Sequence, residues 1–127
     1  MITIPVSVGE LIDKLSILKV KKNKVQNPEK LIHVDKEFEL LYNMSSYFLD
    51  QSELSELYHK LVETNSKLWE VEDSLRVLEF EKKFENEFIR LARLVYHIND
   101  ERYELKNKIN ELTSSEIREI KDYKEYK

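Results

Sequence analysis

Two long, regular seams of apolar residues dominate the second half of the chain. Leu54, Leu57, Leu61, Thr64, Leu68, Val71, Leu75 and Leu78 alternate at spacings of three and four, with one polar member. Phe84, Phe88, Leu91, Val95, Ile98, Arg102, Leu105, Ile109 and Leu112 repeat the pattern, again with one exception. Such spacing holds one stripe on one side of an α-helix, and a stripe this long needs a partner helix along its length. Each seam runs to roughly 28 residues, or roughly 40 Å of helix at about 1.5 Å per residue. The seams match in length, and Asn86 can end or cap a helix. The pattern therefore predicts an antiparallel hairpin that turns near residues 81 to 86, although no glycine marks the turn.

One Gly and two Pro in 127 residues leave little to interrupt helices, and 36% of the side chains are charged. The length fits one helical domain over 1–127. A net charge of −4 gives no global footprint for nucleic acid. With no cysteine, disulfides and Cys-based zinc sites are excluded. The N-terminus lacks the basic-then-apolar layout of a signal peptide, and no stretch approaches the roughly 20 apolar residues of a membrane span. A cytoplasmic protein with no membrane partner is the expectation.

The first helix has a clear start. Ser7 with Glu10 forms a capping-box pattern, and Val8, Leu11, Ile12, Leu15 and Leu18 follow helical spacing to about Lys24. Asn27 with Pro28 starts the second helix, which Leu31, Val34, Phe38 and Leu41 continue. SSYFLDQSE (45 to 53) is the break before the hairpin, and Asp50 with Glu53 offers a further capping box. Ser114 and Ser115 suggest a last short helix, and DYKEYK a frayed tail, so that 114–127 is a short terminal helix or tail. A two-helix hairpin alone buries too little. The two shorter helices must pack on it, giving an all-α, four-helix bundle-like fold.

A second stripe carries the chemistry. The third helix presents Tyr58, Val62, Asn65, Trp69, Asp73 and Arg76 one position beside its seam, with Glu72 adjacent. On the fourth helix Ala92, Tyr96, Asn99 and Tyr103 do the same, beside Arg93, Asp100 and Lys106. Antiparallel pairing brings Asn99 level with Asn65, and Arg93 level with Asp73. Three accounts fit. The polar groups are solvated or form ion pairs that set helix register. Alternatively they bind an anionic or sugar-like ligand, with arginines as donors and Trp69 or Tyr96 as a flat wall. The third account is a metal-dependent or acid/base enzyme.

The enzyme account meets few of its requirements. Glu70 and Asp73 form an E-x-x-D pair able to hold Mg2+, but the E-E-x-x-E that precedes it in all-α nucleotide pyrophosphohydrolases is absent. His33, His59 and His97 have no histidine partner at helical spacing, so no metal site is expected. A single glycine, Gly9, excludes a Gly-rich phosphate loop, and no cofactor is expected.

Three stretches in order, VSVGELIDKLSILKVK, NSKLWEVEDSLRVLE and FIRLARLVYHINDERYELKNKIN, resemble a family of small bacterial and phage proteins of unknown function. Members of that family are often encoded near glycosyltransferase and surface-polysaccharide genes. The resemblance places its polar signature on Glu10, Asp13, Lys14, Asn65, Trp69, Glu72, Asp73, Arg76, Arg93, Tyr96, Asn99, Asp100, Arg102 and Asn110. It also implies a glycine before the closing segment, where this chain has Ser114, Ser115 and Glu116.

The leading expectation is a non-enzymatic binding or accessory protein with a polar site between helices. The resemblance adds a link to carbohydrate or glycosyl-transfer pathways. The alternative is a small all-α enzyme acting on a phosphorylated or nucleotide-sugar substrate. A homodimer is expected from the exposed stripe Tyr58, Val62, Trp69, Ala92 and Tyr96. Asn99, Asp100 and Arg102 are expected to turn inward toward Asn65, Trp69, Asp73 and Arg76. Arg102 on the seam then requires a carboxylate from Asp73, Asp100 or Glu72. If that cluster is purely structural, Arg102→Met is expected to be neutral or stabilising.

Overall fold

The computed structural model describes residues 1–126. Four helices follow in order: α1 (Val8–Lys24), α2 (Pro28–Leu49), α3 (Ser52–Phe80) and α4 (Asn86–Leu112). No strand occurs among the described residues. The all-α reading holds, with α1 and α2 packed on the longer α3–α4 hairpin.

The hairpin turns where the sequence stops offering helix. Lys82 takes a left-handed φ of 58° after α3, and the Lys83 N–H reaches back to the Leu78 carbonyl at 2.9 Å. That bond closes a Schellman cap in which glycine is the usual residue, and the lysine supplies the turn that no glycine marked. Asn86 is the first residue of α4 rather than a cap, which falls on Glu85 without a side-chain bond. The break before α3 is equally short. α2 runs on to Leu49, and the Asp50–Glu53 capping box does not form, because Gln51 is the α3 cap and makes no side-chain bond.

α1 starts as expected at one end of its box. Ser7 Oγ accepts the Glu10 N–H at 3.0 Å, while the Glu10 carboxylate turns away to Lys106, at 2.8 Å. The Val8 and Gly9 N–H groups find partners from the other end of the chain, donating to Ser115 Oγ at 3.2 Å and Asn110 Oδ1 at 2.7 Å. Every N–H of the first helical turn is therefore satisfied inside the protein, and this helix start offers no free donors to an anion. On α2, Asn27 accepts from the Glu29 and Lys30 N–H groups with Pro28 in the first turn.

Contacts set the sense of α1. Asp13 meets Asn65 and Lys24 meets Glu70, so α1 runs parallel to α3. Gly9 meets Asn110 and Asp13 meets Arg102, so it runs antiparallel to α4. The core forms where all four helices overlap: Ile12, Leu54, Leu57, Leu61 and Ile109 are buried together, with Phe48 and Leu49 of α2 against them. Complete burial of each of these side chains contributes about 2 kcal/mol. Thr64, the polar member of the α3 seam, donates its hydroxyl to the Lys60 carbonyl at 2.9 Å and so enters the core satisfied.

Past Leu112 the chain departs from expectation. The described residues 113–126 form no helix. Ser114 turns the backbone with a φ of 50°, within the Ser114, Ser115, Glu116 stretch where the resemblance implies a glycine, and the Ser115 N–H closes on the Asn110 carbonyl at 2.9 Å. The segment then doubles back along α4 as a strap. Glu119 pairs with Lys106 at 2.7 Å, Lys121 donates to the Asn99 carbonyl at 3.4 Å, and Tyr126 donates to Asp100 at 2.5 Å. DYKEYK is thus held against the helix as far as Tyr126 rather than frayed, and Lys127 lies outside the described residues.

Gly9 is where α1 and α4 touch. A Cβ there would stand 2.5 Å from the Lys106 carbonyl oxygen and 2.9 Å from Asn110 Oδ1. Helix propensity alone favours alanine by about 1 kcal/mol. Gly9→Ala should nevertheless lower stability by about 2 kcal/mol or more, because the helices must separate. Urea unfolding checks the sign, and a more stable variant would refute the close approach.

Candidate functional site

The polar residues singled out in the sequence divide into two groups. Asn65, Asn99 and Arg102 meet in one buried network, but its centre is Asp13 of α1 rather than a residue of α3. The Asp13 carboxylate is 1% exposed. Its Oδ1 accepts from Asn65 Nδ2 at 3.0 Å and its Oδ2 from Arg102 Nη2 at 2.6 Å. Asn65 also donates to Ser16 Oγ at 2.8 Å, and Arg102 Nη1 donates to Asn99 Oδ1 at 2.9 Å. Lys106 stands at 4.0 Å from the same Asp13 oxygen and is paired more closely with Glu10 and Glu119. Arg102 therefore finds its carboxylate, although Asp73, Asp100 and Glu72 do not supply it.

The reason lies in how α1 crosses the hairpin. Asp13 and Ser16, three apart, project together toward Asn65 from one face of α1. α4 presents Asn99, Arg102 and Lys106 at spacings of three and four toward the same crossing. A buried carboxylate with three kinds of donor around it is stable only while each donor is present. Burial by itself would lower the Lys106 pKa. The hydrogen bonds to Glu10 and Glu119 and the charge of Asp13 outweigh it, and the ammonium is held above its ordinary value.

The second group stays outside. Trp69 is half-buried, and Glu72, Asp73, Arg76 and Arg93 are exposed, with no ion pair or hydrogen bond to another described residue. The expected meeting of Asn99 and Arg102 with Trp69, Asp73 and Arg76 does not occur, because α1 occupies the Asn65 level and ends near Glu70. These residues stand on the part of the hairpin that α1 leaves uncovered.

Asp100 and Tyr96 serve a third arrangement, the cleft between α4 and the strap. Tyr126 binds Asp100 and packs edge-on against Tyr96 with ring centroids 4.9 Å apart. That hydrogen bond to the Asp100 carboxylate pushes the Tyr126 pKa up to about 12. Between α4 and the strap a cleft of about 430 Å3 is lined by Tyr96, Asn99, Arg102, Tyr103, Lys121 and Tyr123, among others. An adjoining recess of about 610 Å3 shares Tyr96, Asp100, Tyr103, Lys121 and Tyr123 with it and adds Tyr126. Arg102 lines the cleft of about 430 Å3, and its Nε is buried without a partner among the described residues. Lys121 lies over the Tyr103 ring at 5.2 Å and the Tyr123 ring at 5.8 Å.

The strap residues Glu119, Lys121, Tyr123 and Tyr126 carry no helical periodicity, so a search for helical stripes passes over them. Their one signal is the alternation of tyrosine with charge in KDYKEYK. Ser16 gave no signal at all. Among the described residues no group of three or more His, Asp or Glu is placed to hold a metal ion, and no helix is long and apolar enough to cross a membrane.

Two outcomes test the network. Arg102→Met should cost about 3 kcal/mol rather than be neutral, since it leaves Asp13 buried with weaker partners. Adding Asp13→Asn should recover a large part of that, and a double-mutant cycle that shows no coupling would refute the pairing. The Lys106 contribution runs with pH. Because its folded pKa is raised, the stability it supplies is fully present below the ordinary lysine value of about 10.4 and is lost as pH climbs through the folded one. Unfolding profiles should show wild type losing more stability above about pH 10.4 than Lys106→Met.

No match was found among curated proteins or among solved structures. One family description spans almost the whole molecule, including both the Asp13 network and the strap. Residues 2–126 match the model of the family of unknown function DUF6165, and the chain belongs to that family.

Proposed function

We propose that the protein is a non-enzymatic binding or accessory protein whose site is the cleft between α4 and the C-terminal strap. The observation that carries this reading is the cleft of about 430 Å3 that Arg102 and Lys121 line together with tyrosine rings. A guanidinium N–H and the Lys121 ammonium donate to oxygen, while the rings of Tyr96, Tyr103 and Tyr123 offer flat apolar faces. That combination suits an anionic or sugar-like small molecule, which has oxygens to accept and a ring face to stack. Asn99 and Asp100 line the same cleft and add an amide and a carboxylate for hydroxyl groups. Asn65 acts from behind, by holding Asp13 and through it the Arg102 guanidinium. A role in carbohydrate or glycosyl-transfer pathways agrees with this chemistry.

A thermal-shift screen of sugar phosphates, nucleotide sugars and nucleotides, with and without divalent metal, tests the reading. A ligand at about 100 times its Kd stabilises the fold by about 2.7 kcal/mol, a rise of several degrees. Tyr123→Ala in the exposed strap should keep the unliganded melting temperature and remove the rise. No shift with any of these compounds, or a shift indifferent to Tyr123→Ala, would overturn the assignment. Turnover of the same compounds would replace binding by catalysis.

A further inference from the structure

We infer that the free end of the α3–α4 hairpin is a self-association surface, and that its occupant is the same surface of a second copy of this chain. The inference rests on none of the cleft residues. It starts from a change along the hairpin seam. Leu54 and Leu61 on α3 and Ile109 on α4 are at most 1% exposed where α1 and α2 cover them. Beyond Glu70, where Lys24 ends α1, the same seam continues through Leu75, Leu78 and Phe88, which are only half-buried. Outside the seam Val77, Phe80 and Ile89 are 56%, 88% and 52% exposed. Two helices alone leave such a stripe half wet, and a third and fourth helix normally close it.

Charge says what the closing helices are. Between 71 and 97 most ionic groups pair locally: Lys82 with Glu79, Lys83 with Glu81, and Arg90 with Glu87. Glu72, Asp73 and Arg76 on α3 and Arg93 on α4 remain without a hydrogen bond or ion pair to any described residue. Glu85 in the turn is unpaired as well, but on the helices themselves two carboxylates and two guanidiniums form a self-complementary set. A two-fold axis that lays α3 of one copy along α4 of the other brings Glu72 and Asp73 toward the partner's Arg93, twice over. Anionic membrane is a poor occupant by comparison, since residues 79 to 87 carry four glutamates against two lysines. An uncovered apolar stripe bordered by unpaired opposite charges is what an isologous four-helix junction requires.

Light scattering on the full chain at micromolar concentration should give about twice 15.3 kDa. Val77→Asp with Phe80→Asp, both at exposed positions, should leave helical circular dichroism unchanged and raise the dimer dissociation constant at least tenfold. The sharper test uses charge-swapped copies. Arg93→Glu and the double variant Glu72→Arg, Asp73→Arg should each be monomeric alone and form a heterodimer when mixed, because one interfacial pairing is then the native one and the other is restored with reversed sign. A wild-type mass near 15 kDa, a dimer unaffected by the aspartates, or a mixture that stays monomeric would each overturn the inference. Ligand shifts at the strap cleft are measured separately and survive any of these results.

Discussion

The buried carboxylate of Asp13 is the constraint to which the rest of the molecule answers. A charged group 1% exposed needs donors, and here they come from two other helices, Asn65 on α3 and Arg102 on α4, while Ser16 of α1 accepts the second Asn65 N–H and so fixes the amide. None of these helices can rotate or slide by a turn without leaving a charge or an amide uncompensated in the interior. Hydrophobic burial around Ile12, Leu61 and Ile109 supplies the driving force but tolerates alternative registers, since one leucine layer resembles the next. The polar network removes those alternatives. Gly9 adds a steric condition, because only a residue without Cβ lets α1 lie against the α4 backbone so closely.

That crossing divides the hairpin into two regimes. On the covered side, α1 and the strap supply partners to most of what they bury, and Lys106 is enclosed by Glu10, Asp13 and Glu119. On the open side, half-buried leucines and unpaired charges face outward with nothing of the described chain against them. The proposed small-molecule cleft lies at the edge of the first regime, where the strap meets Tyr96 and Asp100. The proposed self-association surface lies wholly in the second. A single stripe of polar residues on α3 therefore ends up with two different fates, decided by where α1 stops.

How much of this could be read beforehand depended on whether the signal was periodic. Helix starts at Ser7 and Asn27 and the two heptad seams are local patterns, and the helices form where those patterns place them. The turn was placed correctly but explained by Lys82 in a left-handed conformation, which composition gives no reason to expect. For the network, Arg102 on a seam announced that a carboxylate was needed, and helical geometry could not say which. Asp13 entered only through the resemblance to a family, since its own helix shows it among ordinary polar neighbours. The strap was misread as helix and frayed tail, because its hold on α4 comes from ion pairs and a tyrosine hydrogen bond. Such contacts leave no spacing to detect.

What the sequence by itself determined is the set of helices, their pairing into a hairpin, and the presence of polar residues that a buried seam would not tolerate alone. Repeats of three and four follow from the pitch of a single helix and need no knowledge of the rest of the chain. The tertiary structure alone decided that α1 crosses at Gly9, that Asp13 and not Asp73 answers Arg102, and that residues 113–126 return along α4. Those outcomes depend on the angle and endpoint of one helix against two others. They are set by the summed packing and pairing of residues up to 107 positions apart, which no local window of sequence contains.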